Sequence, residues 1–276
     1  MPKKIAIIGD SHFSVEPGFR ENHLYPSNWS YQMSERFPQH EYYNFARGGQ
    51  SIEYFQRALI EAKRLGCDNV FLVKTHIGRM FVDWEPMEER PDPRYEWIDA
   101  LDIETAGGME TNYNVMYPYF QGFWMVPGNP EYWGSTSNIN EENKVNANSF
   151  AKAYQTYIAP SESRKQWELY WYNSAPDVYN FENVFLVNWK FSKKSNHSDK
   201  EIYTNLQTTV QDALFEHLKP EHRSSNTHIE NWKKCMYDSG LCLSEDDDHL
   251  TIKGHRIVLE DVILSDPTVL KMLNSK

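Results

Sequence analysis

Cysteine is scarce in this chain of 276 residues, and this scarcity excludes disulfide-built folds. The three cysteines, Cys67, Cys235 and Cys242, are too few for a disulfide framework, and no two of them have the spacing of metal ligands. We therefore expect reduced, buried thiols and no metal held by cysteines.

Positive charge and long apolar stretches are also in short supply. Lys and Arg number 28 against 39 Asp and Glu, a net formal charge of −11, and no long basic cluster offsets it. Because contacts to phosphates need Lys and Arg patches, nucleic acid and anionic membranes are poor candidate partners. No apolar stretch approaches the length of a membrane span, and the run Ile5–Ile8 is too short for a signal-peptide core. We expect a cytoplasmic protein.

The chain opens with a short apolar run that ends at Gly9-Asp10-Ser11. Such a run is typical of a strand buried on both faces in the middle of a parallel sheet. Loops at the carboxyl ends of parallel strands carry the chemistry of α/β proteins, so Ser11 is a candidate nucleophile. His12, beside it, is a candidate to line the site, but its place in the turn does not favour it as the base.

Strand and helix patterns alternate after this run. We predict helices over 29–37 and 51–65 and strands over 42–45 and 70–73, with a later buried strand over 184–189 and a helix over 199–218. This alternation predicts a single α/β domain of three α/β/α layers with a central parallel sheet.

A base and a carboxylate occur together near the end of the chain. Asp246 and His249 are two residues apart in the acidic run before a predicted terminal helix, so one turn can present both side chains. A serine needs such a base to take its proton and a carboxylate to hold the base in the right tautomer. The alternative is that the acidic run is simply a solvated loop.

These motifs resemble the SGNH (GDSL) hydrolase family of esterases and lipases. The similar residues are Gly9-Asp10-Ser11, the block from Asn44 to Gly49, and Asp246-x-x-His249. The resemblance implies a flavodoxin-like sheet, a triad of Ser11, Asp246 and His249, and an oxyanion hole that includes the N–H groups of Ser11 and Gly49. His76 stands where the family has an asparagine as third donor, and a neutral imidazole can also donate one N–H.

A large irregular insertion is predicted after the third strand, at about 79–140, where Pro, Gly, acidic and aromatic residues replace the alternation. We interpret it as a cap over Ser11. Trp84 and Trp124 are candidates to line a substrate subsite, and packing of the insertion onto the core is the alternative that we favour for either one taken singly. Arg79 is a candidate to bind an anionic group of the substrate, with a salt bridge to the acidic insertion as the alternative.

The resemblance implies serine ester hydrolysis through an acyl-enzyme, a reaction that requires no cofactor and no metal. A small-molecule or carbohydrate ester with a short acyl group, such as acetyl, is the expected substrate, because the insertion is aromatic and polar rather than a long apolar trough. Two other classes stay open: an O-acyltransferase that uses the same triad, and a non-catalytic binding or structural module that keeps the fold.

Overall fold

A largely parallel β-sheet forms the centre of the molecule. The computed structural model describes residues 2–13, 28–46, 51–74, 80–82, 97–99, 112–118, 123–125, 153, 156–157, 162–189, 205–223 and 231–275. The strands are β1 (Lys4–Ile8), β2 (Glu41–Asn44), β3 (Asn69–Lys74), β4 (Met80–Val82), β5 (Trp97–Asp99), β6 (Tyr113–Pro118), β7 (Phe123–Met125) and β8 (Asn183–Asn188). The main sheet has the order β5-β6-β2-β1-β3-β8, and β4 pairs with β7 in a separate antiparallel ribbon.

β1 lies in the middle of five parallel strands. Its Ile5 pairs with Tyr42 of β2 on one side and with Asn69 of β3 on the other. β6 and β8 extend the parallel sheet beyond β2 and β3, and β5 adds an antiparallel edge to β6. The side chains from Ile5 to Ile8 are fully buried. The prediction of an α/β fold with β1 buried on both faces is therefore confirmed.

Helices cover both faces of this sheet. They are α1 (Trp29–Arg36), α2 (Ile52–Arg64), α3 (Glu162–Tyr179), α4 (Val210–Glu216), α5 (Trp232–Asp238), α6 (Ile252–Ile257) and α7 (Pro267–Asn274), and α6 continues as a π-helical segment, Val258–Ile263. Ile5 and Ile7 pack in one core with side chains of α1, α4, α6 and α7. Ala6 and Ile8 pack in a second core with side chains of α2 and α3. Alternate residues of one strand thus point to opposite helical layers.

Local signals set the ends of the early helices as the sequence predicts. The Asn28 side chain caps α1 by accepting a hydrogen bond from the Ser30 N–H at 2.9 Å, and the helix ends before Pro38. α2 ends just before Gly66, whose φ of +80° is a left-handed conformation that favours glycine.

The region from 79 to 140 is less irregular than predicted. β6 pairs with β2 in the main sheet, where the Tyr42 N–H donates to the Asn112 carbonyl at 2.7 Å. This part of the predicted insertion therefore extends the sheet. Strand pairing depends on neighbours distant in the chain, so a short strand among Pro and Gly residues leaves a weak local pattern. Whether other parts of this region cover Ser11 lies outside the described residues.

The described part of the predicted helix over 199–218 is only partly helical. Its described part begins with non-helical residues, and α4 begins only at Val210, capped by the Thr209 side chain. The reason is an interaction with the edge of the sheet. Asn205 accepts a hydrogen bond from the Leu186 N–H at 2.7 Å and donates one to the Val184 carbonyl. Its side chain amide thus takes the place of a neighbouring strand along β8.

The three cysteines are buried and free, which agrees with the predicted reduced thiols. Burial raises the pKa of Cys67 and of Cys242 to about 12, so both carry a proton at neutral pH. Among the described residues, no helix has the length and apolar character needed to cross a membrane.

Candidate active site

Ser11 lies in a tight turn at the carboxyl end of β1. The Asp10 carboxylate accepts a hydrogen bond from the His12 N–H at 3.2 Å, and the Asp10 carbonyl accepts one from the Phe13 N–H at 3.1 Å. Ser11 is 9% exposed and Asp10 is almost fully buried. The turn therefore holds the serine at the edge of the sheet with little freedom of its backbone.

Gly9 allows this turn to lie close to β3. A Cβ atom at Gly9 would lie only 2.8 Å from the Cβ of Val73, closer than real side chains approach. A glycine is thus required at the end of β1 for steric reasons.

Asn44, the last residue of β2, ties the Ser11 turn to its neighbours. Its amide donates to the Phe13 carbonyl at 3.2 Å and to the Tyr113 hydroxyl at 2.7 Å, and its side chain oxygen accepts from the Ala46 N–H at 2.7 Å. Asn44 is fully buried. It therefore orients both the turn that carries Ser11 and the start of the loop that leads to Gly49.

His249 lies in a closed loop between α5 and α6. The Leu243 N–H donates to the His249 carbonyl at 3.0 Å, and Cys242 and Leu250 form an antiparallel bridge beneath it. The His249 ring donates a hydrogen bond from Nδ1 to Oδ1 of Asp247, and the His249 N–H donates to the same oxygen at 3.1 Å. Because Nδ1 holds the proton, Nε2 of the neutral ring is an acceptor.

The carboxylate that contacts His249 differs from the predicted one. Asp246 is exposed at the tip of the loop, and its carbonyl accepts a hydrogen bond from Lys233 Nζ of α5 at 3.1 Å. Asp247 is better placed because a side chain two residues before an N–H can fold back onto it. The same oxygen then reaches Nδ1. Within the described residues, Asp247 thus takes the geometric role that the spacing assigns to Asp246.

An aromatic stack connects the two ends of the chain. The ring of His12 lies against the ring of His249, with centroids 4.8 Å apart. The ring of His12 also stacks with the indole of Trp189, with centroids 4.0 Å apart. Trp189 directly follows β8 and also contacts Phe13 edge-on. The residue after Ser11 thus contacts the imidazole that Asp247 holds. Sequence reasoning did not assign this contact to His12, since a stack between distant segments leaves no local pattern.

His255, on α6, adds a third imidazole to this group. It is fully buried, and neither of its ring nitrogens has a hydrogen-bond partner among the described residues. Burial lowers the pKa of His255 to about 3, and the nearby imidazoles of His12 and His249 act in the same direction. His255 is therefore neutral at physiological pH and belongs to the packing beneath the site.

Asp247, Asp248 and His249 offer ligand atoms within 4.8 Å of one another. Each carboxylate already has a partner, however: Asp247 holds the His249 ring, and Asp248 lies 3.6 Å from Lys233 Nζ. The arrangement is that of a hydrogen-bonded acid and base beside a salt bridge, and we assign no metal to it.

Several predicted site residues lie outside the described part of the chain. These are Gly49, His76, Arg79 and Trp84. Trp124 is described only through its backbone, which pairs with Phe81 between β7 and β4.

Comparison of the chain with protein-family models, curated proteins and solved structures gives no significant match. The functional inference therefore depends on the geometry of the site and on the motifs.

Proposed function

We propose that this protein is a serine hydrolase that cleaves carboxylic esters. Ser11 is the nucleophile, His249 is the base, and Asp247 orients the base. The observation that supports this most is the position of His249, whose ring is hydrogen-bonded to a carboxylate and stacked on the residue next to Ser11. Serine catalysis needs this combination of a serine, an imidazole acceptor and a carboxylate on the opposite ring nitrogen.

The proposal also agrees with the resemblance to SGNH hydrolases, with Asp247 in place of Asp246. Ser11 is at the carboxyl end of the central parallel strand, where α/β proteins bind and transform their ligands. Asn44 and Gly9 are residues of the same motifs, and both have a physical role in holding the turn.

In the proposed reaction, Ser11 Oγ attacks the ester carbonyl carbon while His249 Nε2 takes the hydroxyl proton. The tetrahedral intermediate collapses, the bond to the alcohol oxygen breaks, and His249 returns the proton to that oxygen. Water then attacks the acyl-enzyme in the same way and releases the acid and free Ser11. Asp247 keeps the proton on Nδ1 and stabilises the imidazolium that forms twice in the cycle.

The negative charge that develops on the carbonyl oxygen needs donors close to Ser11. The backbone N–H groups of Ser11 and Gly49 and the side chain of His76 are the proposed donors, by resemblance to the family. Arg79, Trp84 and Trp124 are the proposed substrate contacts. A short acyl group on a carbohydrate remains the proposed substrate class, because the 79–140 region is rich in aromatic and polar residues.

The test is covalent labelling of the full-length protein with a fluorophosphonate, measured by intact mass. We expect one adduct on the wild type and on Ser265→Ala, which removes an exposed serine before α7, and no adduct on Ser11→Ala. Hydrolysis of acetyl and octanoyl esters of one alcohol then tests the short-acyl preference. A folded wild-type protein that forms no adduct would contradict the proposal, and transfer of the acyl group to an added sugar would favour an acyltransferase.

A further inference from the structure

Asp247 holds the ring of His249 by one edge only. A hydrogen bond at Nδ1 sets where that edge of the ring lies, but it permits the ring to tilt about the bond. Proton transfer from a serine requires Nε2, on the far edge, to stay within hydrogen-bond reach of the hydroxyl oxygen. A second contact, on the face of the ring, is therefore needed to fix its plane.

His12 makes that face contact. Its ring is nearly parallel to the ring of His249, with an interplanar angle of 25° and centroids 4.8 Å apart. The ring of His12 is also nearly parallel to the indole of Trp189, with an interplanar angle of 24° and centroids 4.0 Å apart. Since His12 and Trp189 are both more than nine-tenths buried, the stack has little room to shift.

The support of His12 is itself rigid. Its N–H is bonded to the Asp10 carboxylate in the Ser11 turn, and Trp189 continues from β8 of the central sheet. Ser11 and His12 are consecutive residues of one turn. A displacement of Ser11 therefore also moves the His12 ring on which His249 lies. The positions of the nucleophile and the base relative to each other are thus coupled.

Stacked rings differ from a metal site. Metal ions bind imidazole nitrogens in the plane of each ring, with the rings converging edge-on. The rings of His12 and His249 face each other instead. The groups around His12 are the Asp10 carboxylate, the imidazoles of His249 and His255, and, through His249, the Asp247 carboxylate.

We propose that His12 is a positioning residue that fixes the plane of the His249 ring by stacking on it, while His12 itself is held by its stack with Trp189. This inference rests on the proposed function. It assigns the role to the aromatic face of His12 rather than to its nitrogens. An aromatic replacement should therefore preserve the role, and an aliphatic side chain of similar size should not.

The test compares His12→Phe with His12→Leu, both in the full-length protein. We expect His12→Leu to slow fluorophosphonate labelling of Ser11 about tenfold, the rate effect of losing one aromatic contact, and His12→Phe to stay within about threefold of the wild type. With an ester substrate, the loss in His12→Leu should appear in kcat rather than in KM. His217→Leu, an exposed histidine at the end of α4, is the matched control and should label at the wild-type rate.

The outcomes separate this inference from the proposed function. If the wild type labels at Ser11 and His12→Leu labels equally fast, the positioning role is wrong and the hydrolase proposal stands. Equal slowing in the Leu and Phe variants, with both folded by circular dichroism, also overturns the positioning role. A wild type that does not label at Ser11 overturns both.

Discussion

The imidazole of His249 is hydrogen-bonded to the carboxylate of Asp247, its neighbour two residues earlier in the chain. One oxygen of Asp247 also accepts the His249 N–H, so a single side chain holds both the backbone and the ring. Asp246, one position further away, is exposed. Two adjacent carboxylates of the same acidic run thus have different structural environments, and this difference can be tested.

Replacing Asp247 by Asn should impair catalysis far more than replacing Asp246. An amide at 247 can donate to the ring as well as accept from it, so it no longer fixes the tautomer with Nδ1 protonated. We expect Asp247→Asn to lower kcat on the order of 10³-fold and Asp246→Asn to change it less than about threefold. Ester hydrolysis and the rate of fluorophosphonate labelling measure both variants. A large loss in Asp246→Asn alone would return the role to Asp246.

Replacing Asn44 by Ala should destabilise the protein strongly. The variant leaves the buried Phe13 carbonyl and Ala46 N–H without their partner, at a cost of about 1–3 kcal/mol for each unsatisfied group. The control is Asn112→Ala, which removes an exposed hydrogen bond to the Pro38 carbonyl and should cost less than about 1 kcal/mol. Urea denaturation gives both free energies of unfolding, and equal losses would contradict the role of Asn44.

Replacing Gly254 by Ala should destabilise the protein, although the same change inside a helix ordinarily stabilises it by about 1 kcal/mol. A Cβ at Gly254 would lie 2.5 Å from the Leu241 carbonyl, a backbone atom that cannot rotate away. We expect a loss of about 1–3 kcal/mol in the free energy of unfolding, because overpacking displaces α6 from the loop that carries His249. Lys271→Ala, at an exposed position of α7, should change stability by less than about 0.5 kcal/mol. A stabilised Gly254→Ala variant would show that α6 has room to move.

His255 should make the folded protein sensitive to acid. Burial lowers its pKa from 6.5 to about 3, so the unfolded chain binds a proton that the folded protein excludes. The contribution of neutral His255 is complete above pH 6.5 and is lost as the pH falls toward 3, by up to about 1.4 kcal/mol per pH unit.

A comparison of wild type with His255→Leu tests this linkage. Leucine cannot bind a proton, so the variant lacks this part of the acid-dependent loss. The stability difference between the two proteins, measured by urea denaturation at pH 7 and pH 5, should shift in favour of the variant at pH 5. A difference that is the same at both pH values would mean that His255 does not titrate in this window.

Much of the fold could be predicted from periodicity and capping signals in the sequence. The run Ile5–Ile8, the Asn28 cap of α1 and the amphipathic pattern of α2 are each readable within a few residues, because local backbone preference and burial act together there. The alternation of these elements was sufficient to predict a parallel sheet with β1 inside it. The position of Ser11 at the end of that strand follows from the same pattern.

Other features were decided only by the tertiary structure. β6 joins the sheet through pairing with β2, and the helix after β8 begins only at Val210 because the Asn205 side chain bonds to β8. The contact between His12 and His249 joins residues at opposite ends of the chain. The choice of Asp247 over Asp246 depends on how the loop folds back on α5 and α6. A sequence specifies which side chains are available at each position, but the direction in which each one points depends on neighbours that only the folded chain brings together.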